Sequence, residues 1–349
     1  MKMKQLLSLL LSALMLFGCV CGCAGDADPT QTTAADATQE SQYVEPPRPT
    51  ETDDGVLRIF TIGNSHTNDC NQLLYEVFRA EAPQQQVMIG YLYYSGCKIE
   101  QHIQFAPNNQ GVYEYSLNAD GNWVTVKSAE ALRGLSDQPW DIVVLHEMNV
   151  AGSMRGAYAN ENINTLIKWV NDNLPNPHSF VWNLSWANPV DERLFAPDFD
   201  PQPPSGWKGT YQTLYNMDRD RMFSGLLTCT KEYILPNQSF YCVLPTGTAM
   251  HYAYNMTELD DMDLFRDYTH ISDYGRLIAA YVWYAKFMGL TELTEVNVDV
   301  VPKDLRAPRF KKYGDLEITA EMKQQLLDSV NYALKNPFTL PAQTGGNAQ

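Results

Sequence analysis

Five short, largely apolar runs recur along the chain, at Val56 to Ile62, Val87 to Tyr93, Asp141 to Leu145, Phe180 to Leu184 and Phe240 to Leu244. Segments of helical periodicity alternate with them. Leu73, Leu74, Val77 and Phe78 fall on one face of a helix expected over 69–82, Ile163 to Val170 reads as part of another, and Tyr274 to Met288 is rich in Ala and aromatic residues. Short β-branched runs bounded by turn residues read as strands, and strands alternating with helices build a mostly parallel, three-layer α/β sheet with right-handed crossovers. The sheet expected is five-stranded, with helices on both faces.

Two segments interrupt that grammar. Residues 112–127 alternate around Asn118-Ala119-Asp120-Gly121 and predict an inserted β-hairpin. Residues 188–208 carry Pro189, Pro197, Pro201, Pro203 and Pro204 between Trp186 and Trp207, and predict a long loop that either closes on a ligand or packs on the surface.

Outside the core the chain carries its own address. Lys2 and Lys4 precede an apolar run from Leu6 to Phe17 and then Gly18-Cys19, the grammar of a secretory leader over 1–18. A small residue before a cysteine points to a lipid anchor at Cys19, with Cys23 the alternative. Residues 19–55 are Ala, Asp, Thr, Gln and Pro, with too little apolar surface to offset the entropy of ordering, and read as a disordered tether. A single α/β domain with one sizeable core spans 56–338, followed by a disordered tail over 339–349. This predicts a lipoprotein facing outward from a bacterial cell membrane, touching the membrane only through its anchor.

The formal net charge is −16 at a pI near 4.7. No cluster of Lys and Arg is present to neutralise phosphates, so nucleic acid is not an expected partner. An exported domain permits disulfides, and Cys70 with Cys97 and Cys229 with Cys242 is the preferred pairing, set against four buried thiols. None of these has metal-ligand spacing, so no metal and no cofactor is expected.

In an open parallel sheet ligands lie outside the carboxyl ends of the strands. There the sequence places Gly63-Asn64-Ser65-His66-Thr67, Ser95-Gly96-Cys97 and His146-Glu147-Met148-Asn149, while Asp267-Tyr268-Thr269-His270 precedes the last helix of the pattern. A serine hydroxyl needs a base, and the base needs a third group to hold its tautomer. Asp267 and His270 can supply both to Ser65. A tetrahedral oxyanion needs fixed donors, for which the backbone N–H groups of Ser65 and Gly96 and the side chain of Asn149, or alternatively His146, are the candidates. Each feature has a plainer reading alone: a Gly-x-Ser turn is common, and Asp267 could merely cap the following helix.

In their order and content these blocks resemble the SGNH (GDSL-type) hydrolase superfamily, in particular an esterase branch whose first motif begins Gly-Asn-Ser. The resemblance runs over about residues 56–290. It implies a flavodoxin-like sheet, with the catalytic serine at Ser65, the oxyanion glycine at Gly96 and the acid and base at Asp267 and His270. Asn64 stands where the superfamily usually has Asp, and Glu147 where it usually has Gly.

The expected activity is hydrolysis of carboxylic esters, removing acetyl or other short acyl groups from carbohydrate at the cell surface. The alternative is a catalytically silent lipoprotein that binds polysaccharide or solute. His66 is expected in a hydrogen-bonded structural role. Trp186, Trp207 and Tyr252 either form a sugar-stacking wall or belong to the core, and His251 with Asp260, Asp261 and Asp263 reads as a charged turn rather than a calcium loop.

Overall fold

The computed structural model describes Glu45 and residues 54–195, 205–300 and 318–341. The leader, both candidate anchor cysteines, nearly all of the tether, most of the tail and the middle of the 188–208 insertion lie outside the described residues.

The strands are β1 (Val56–Gly63), β2 (Gln86–Tyr93), β3 (Tyr113–Asn118), β4 (Trp123–Ala129), β5 (Ile142–Leu145), β6 (Ser179–Asn183) and β7 (Phe240–Leu244). They form one seven-stranded sheet in the order β4-β3-β2-β1-β5-β6-β7. Strands β2, β1, β5, β6 and β7 are parallel neighbours. Their order is the flavodoxin-like one, which reverses direction beside β1 and opens a crevice there.

The helices that frame the site are α1 (Ser65–Asn71), α2 (Leu74–Glu81), α3 (Ile99–Phe105), α4 (Ala131–Leu135), α5 (Asn162–Asn173), α6 (Thr246–Met256), α7 (Asp273–Phe287) and α8 (Ala320–Lys335). α1, α2, α6 and α8 all pack against α7 on one face of the sheet, and α3 and α4 pack against α5 on the other. The sheet is therefore covered on both sides, which is why β1 and β5 read as nearly unbroken apolar runs. Helix α7 is buried on nearly every side, from Tyr274 to Phe287, and its Ala residues allow that close packing.

Three expectations change. The hairpin is not a separate insertion: β3 pairs antiparallel with β2 and continues the sheet to seven strands. The single helix expected over 69–82 is two helices, and the first begins at Ser65, because the Asn64 side chain accepts from the His66 N–H and the Thr67 hydroxyl accepts from the Asn64 N–H. The cysteines form neither expected disulfide. Cys70, Cys97 and Cys229 are buried thiols, so the pairings Cys70–Cys97 and Cys229–Cys242 are both absent.

Candidate active site

The turn after β1 presents Ser65. An added Cβ at Gly63 would lie 2.0 Å from the Thr67 hydroxyl, so only glycine lets α1 fold back this tightly over the strand end. Asn64 then ties two loops together, because its Nδ2 donates to the Cys97 carbonyl at 2.8 Å. An ionised aspartate accepts only and could not make that bond, which gives a physical reason for the departure at this position.

The base comes from a closed turn at the far end of the chain. Phe265 and Ile271 form an isolated antiparallel bridge, and the Arg266 N–H donates to the His270 carbonyl at 3.0 Å. Inside this turn Asp267 Oδ1 accepts from the N–H groups of Thr269 at 2.9 Å and His270 at 2.7 Å. The carboxylate is thereby folded back onto the ring, with Oδ2 2.8 Å from His270 Nδ1. An acceptor there requires Nδ1–H, which leaves His270 Nε2 to accept from Ser65 Oγ at 2.8 Å. Burial pushes the Asp267 carboxyl up, but the bond and charge of His270 together with Arg266 outweigh it and hold the group below its ordinary range.

A buried ion cluster fixes the two halves of this constellation. Asp69, one turn after Ser65 on α1, accepts at Oδ1 from Arg266 Nη1 at 2.7 Å and from Arg276 Nη2 at 2.9 Å. Desolvation acts to raise its pKa, yet the two guanidiniums hold it down at about 2. No sequence signal pointed to this cluster, since Arg266 and Asp69 are 197 residues apart.

Gly96 lies in the exposed turn after β2 with φ +64°, and nothing lies within 4 Å of a Cβ placed there. Its glycine is thus suited to the left-handed backbone of this turn, with open space beside it. The loop is held by Asn64 and, from the other side, by Glu147, whose carboxylate accepts from the Ile99 N–H at 3.0 Å and the Met148 N–H at 2.7 Å. Burial pushes Glu147 up to about 7 against the pull of those two bonds.

The two candidates for a third oxyanion donor are placed elsewhere. Asn149 is fully buried at the start of a short helix, with Nδ2 donating to Asn188 Oδ1 at 2.5 Å and its own oxygen accepting from Val150 N–H at 2.8 Å. His146 is fully buried against the Thr67 hydroxyl, 2.9 Å from Nδ1, and burial lowers its pKa to about 3. Neither of them, nor Gly96, is among the residues that line the cleft beside Ser65, but Gly96 is exposed next to the lining residue Ser95 whereas Asn149 and His146 are fully buried. A buried polar side chain must find partners, and both have found them within the core.

His66 faces inward as expected, with Nε2 3.0 Å from the Thr269 hydroxyl and its ring 5.0 Å from that of Trp186. Of the two readings for Trp186, Trp207 and Tyr252, internal packing holds rather than a shared wall. Trp186 is buried and donates to the Thr269 carbonyl, Trp207 packs on Tyr268, and Tyr252 stacks on Tyr332. The acidic turn is likewise occupied internally, since Asp260 caps residues 261–264, Asp261 pairs with Arg219, and His251 faces Asp220 and stacks on Phe223.

The profile of the domain of unknown function DUF4886 matches residues 58–298. The chain belongs to this family. The crystal structure of a DUF4886 family protein from Bacteroides uniformis is similar with a TM-score of 0.62 at 19% identity, covering 83% of this chain and 98% of that one. A catalytic mutant of an acetylxylan esterase from Geobacillus stearothermophilus is matched with a TM-score of 0.40 at 14% identity, covering 67% of this chain and 94% of that one. Comparison with curated proteins finds no match.

Around the constellation the DUF4886 domain forms a cleft of about 490 Å³. Ser65, Asn68, Gln72, Arg266, Asp267 and His270 line one side. The opposite wall comes from the sheet, with Tyr91 and Tyr93 of β2, Glu114 and Ser116 of β3, and Trp123 and Thr125 of β4. Sequence reasoning found the hairpin but not this wall, because alternation tells which residues share a face and not which face is left uncovered.

Proposed function

We propose that this DUF4886 domain is a serine hydrolase of carboxylic esters. The observation that carries the reading is the continuous relay from Ser65 Oγ through His270 to the Asp267 carboxylate, 2.8 Å at each link. Ser65 Oγ attacks the acyl carbonyl while His270 Nε2 takes its proton. Asp267 holds the Nδ1–H tautomer and stabilises the imidazolium that forms. The backbone N–H groups of Ser65 and Gly96 are the donors assigned to the oxyanion. Collapse of the tetrahedral species breaks the ester C–O bond, His270 returns the proton to the departing alcohol, and water then releases the acid from Ser65 by the same steps.

The leader and Cys19 place the domain outside the cell in this reading, with Cys23 as the other anchor. The substrate class is a short-chain acyl ester, foremost an acetylated carbohydrate. A serine-directed fluorophosphonate labels the wild type and not Ser65→Ala, and the wild type hydrolyses p-nitrophenyl acetate. If neither labelling nor turnover is seen, the relay is silent and the chain is a binding lipoprotein.

A further inference from the structure

We infer that the sheet face carried by the hairpin is the alcohol-binding wall of the cleft, and that it is built for a neutral sugar. This rests on the hydrolase reading for its catalytic consequence, but the wall itself stands on the sheet register. Side chains two apart on a strand share a face, and paired residues on neighbouring strands lie side by side. Tyr91 pairs with Ser116 and Ser116 with Thr125, forming one row across three strands. Tyr93 pairs with Glu114 in the row below, and Asn118 pairs with Trp123 in the row above. The six lining residues therefore belong to one continuous face opposite Ser65, and not to a loop.

The chemistry of this face is mixed in a specific way. Trp123 is half-buried against the core, which fixes its ring, and Tyr93 supplies a second aromatic surface. Between them Ser116 and Thr125 hydroxyls lie 2.8 Å apart, and the Glu114 carboxylate can only accept. Aromatic surface beside hydroxyls and an acceptor-only group matches a molecule with apolar C–H faces and a rim of O–H donors, which is a sugar ring. An anionic partner is disfavoured by Glu114, by Asp267 and by the net charge of −16. The exposed Lys127, 3.6 Å from Glu114, forms a solvent-screened pair and leaves the carboxylate available.

Size and alignment agree. About 490 Å³ lies within the range of small-ligand sites and far exceeds an acetyl group, so most of the cleft serves the alcohol. Tyr91 joins the wall to the chemistry, because its hydroxyl donates to the Asn64 carbonyl at 2.5 Å, in the turn that presents Ser65.

Two measurements test this. First, kcat/KM is determined for a singly acetylated neutral disaccharide and for p-nitrophenyl acetate, in the wild type, Trp123→Ala, Glu114→Gln and Thr125→Val. The ratio of the two constants should fall at least tenfold in Trp123→Ala, mainly through KM, and severalfold in the two milder variants, which guard against a misfolded tryptophan variant. Ratios within twofold of wild type in all three overturn the proposal. Second, the disaccharide is titrated into Ser65→Ala by calorimetry, and binding should be present there and at least tenfold weaker in Ser65→Ala/Trp123→Ala. This readout needs no turnover. Absent binding overturns the sugar wall even where p-nitrophenyl acetate is hydrolysed, whereas binding without hydrolysis of either ester retains the wall and removes the hydrolase reading.

Discussion

Asp267 performs two tasks that a single substitution separates. Its Oδ1 closes the turn on two backbone N–H groups, and its charge faces the ring of His270. Asp267→Asn keeps an oxygen for the turn and removes the charge, so turnover should fall by about 10^4 with little change in folding. His270→Ala should be at least as damaging, since it removes the base itself. Single-turnover rates with p-nitrophenyl acetate measure both, and a loss below tenfold for Asp267→Asn reduces that residue to a turn former. These residues were readable because Asp-x-x-His is local and because Ser65 directly follows a strand. Asn149 and His146 show the limit of that logic. Their position after β5 places the backbone near the crevice, but which way a side chain turns depends on partners such as Asn188 and Thr67, far off in sequence.

At the scale of elements, α1 and the Asp267 turn are fastened by Asp69 against Arg266 and Arg276. Asp69→Asn leaves two buried guanidiniums facing a neutral amide and should cost about 3–5 kcal/mol, read from urea unfolding. The pH dependence follows in sign. Asp69 sits at about 2 when folded against an ordinary 3.8, so its contribution is full above 3.8 and is lost as pH falls from there toward 2. The variant should lack that loss. Glu147 behaves oppositely: its folded value is about 7 against an ordinary 4.5, so its contribution is full below 4.5 and declines as pH rises through 7. Stability of Glu147→Gln should therefore lack the fall between pH 4.5 and 7, and an unchanged slope would show that the carboxyl is not held protonated. The hairpin illustrates what local pattern supplies. Its turn was legible at Asn118 to Gly121, whereas its pairing with β2, which turns an insertion into a cleft wall, is a long-range contact with no local signature.

For the whole molecule, the expected disulfides came from the compartment implied by the leader, and the core answers differently. Export permits cross-links without requiring them. The domain has a large two-sided core, with Ile59, Val144 and Trp283 among its fully buried residues, and has no need of the staples on which small secreted domains depend. Within that core the thiols are shielded: burial raises the pKa of Cys70 and Cys97 and pushes Cys229 up to about 12. A protonated, inaccessible thiol neither alkylates nor exchanges. In a chain with Cys19, Cys21 and Cys23 replaced by Ser, a maleimide should label no cysteine in the native state and all four after denaturation without reductant. The thermal midpoint should be the same with and without dithiothreitol. Fewer than four labelled thiols after denaturation, or a midpoint lowered by several degrees in reductant, would establish a disulfide and return the pairing Cys70–Cys97 or Cys229–Cys242 to the molecule.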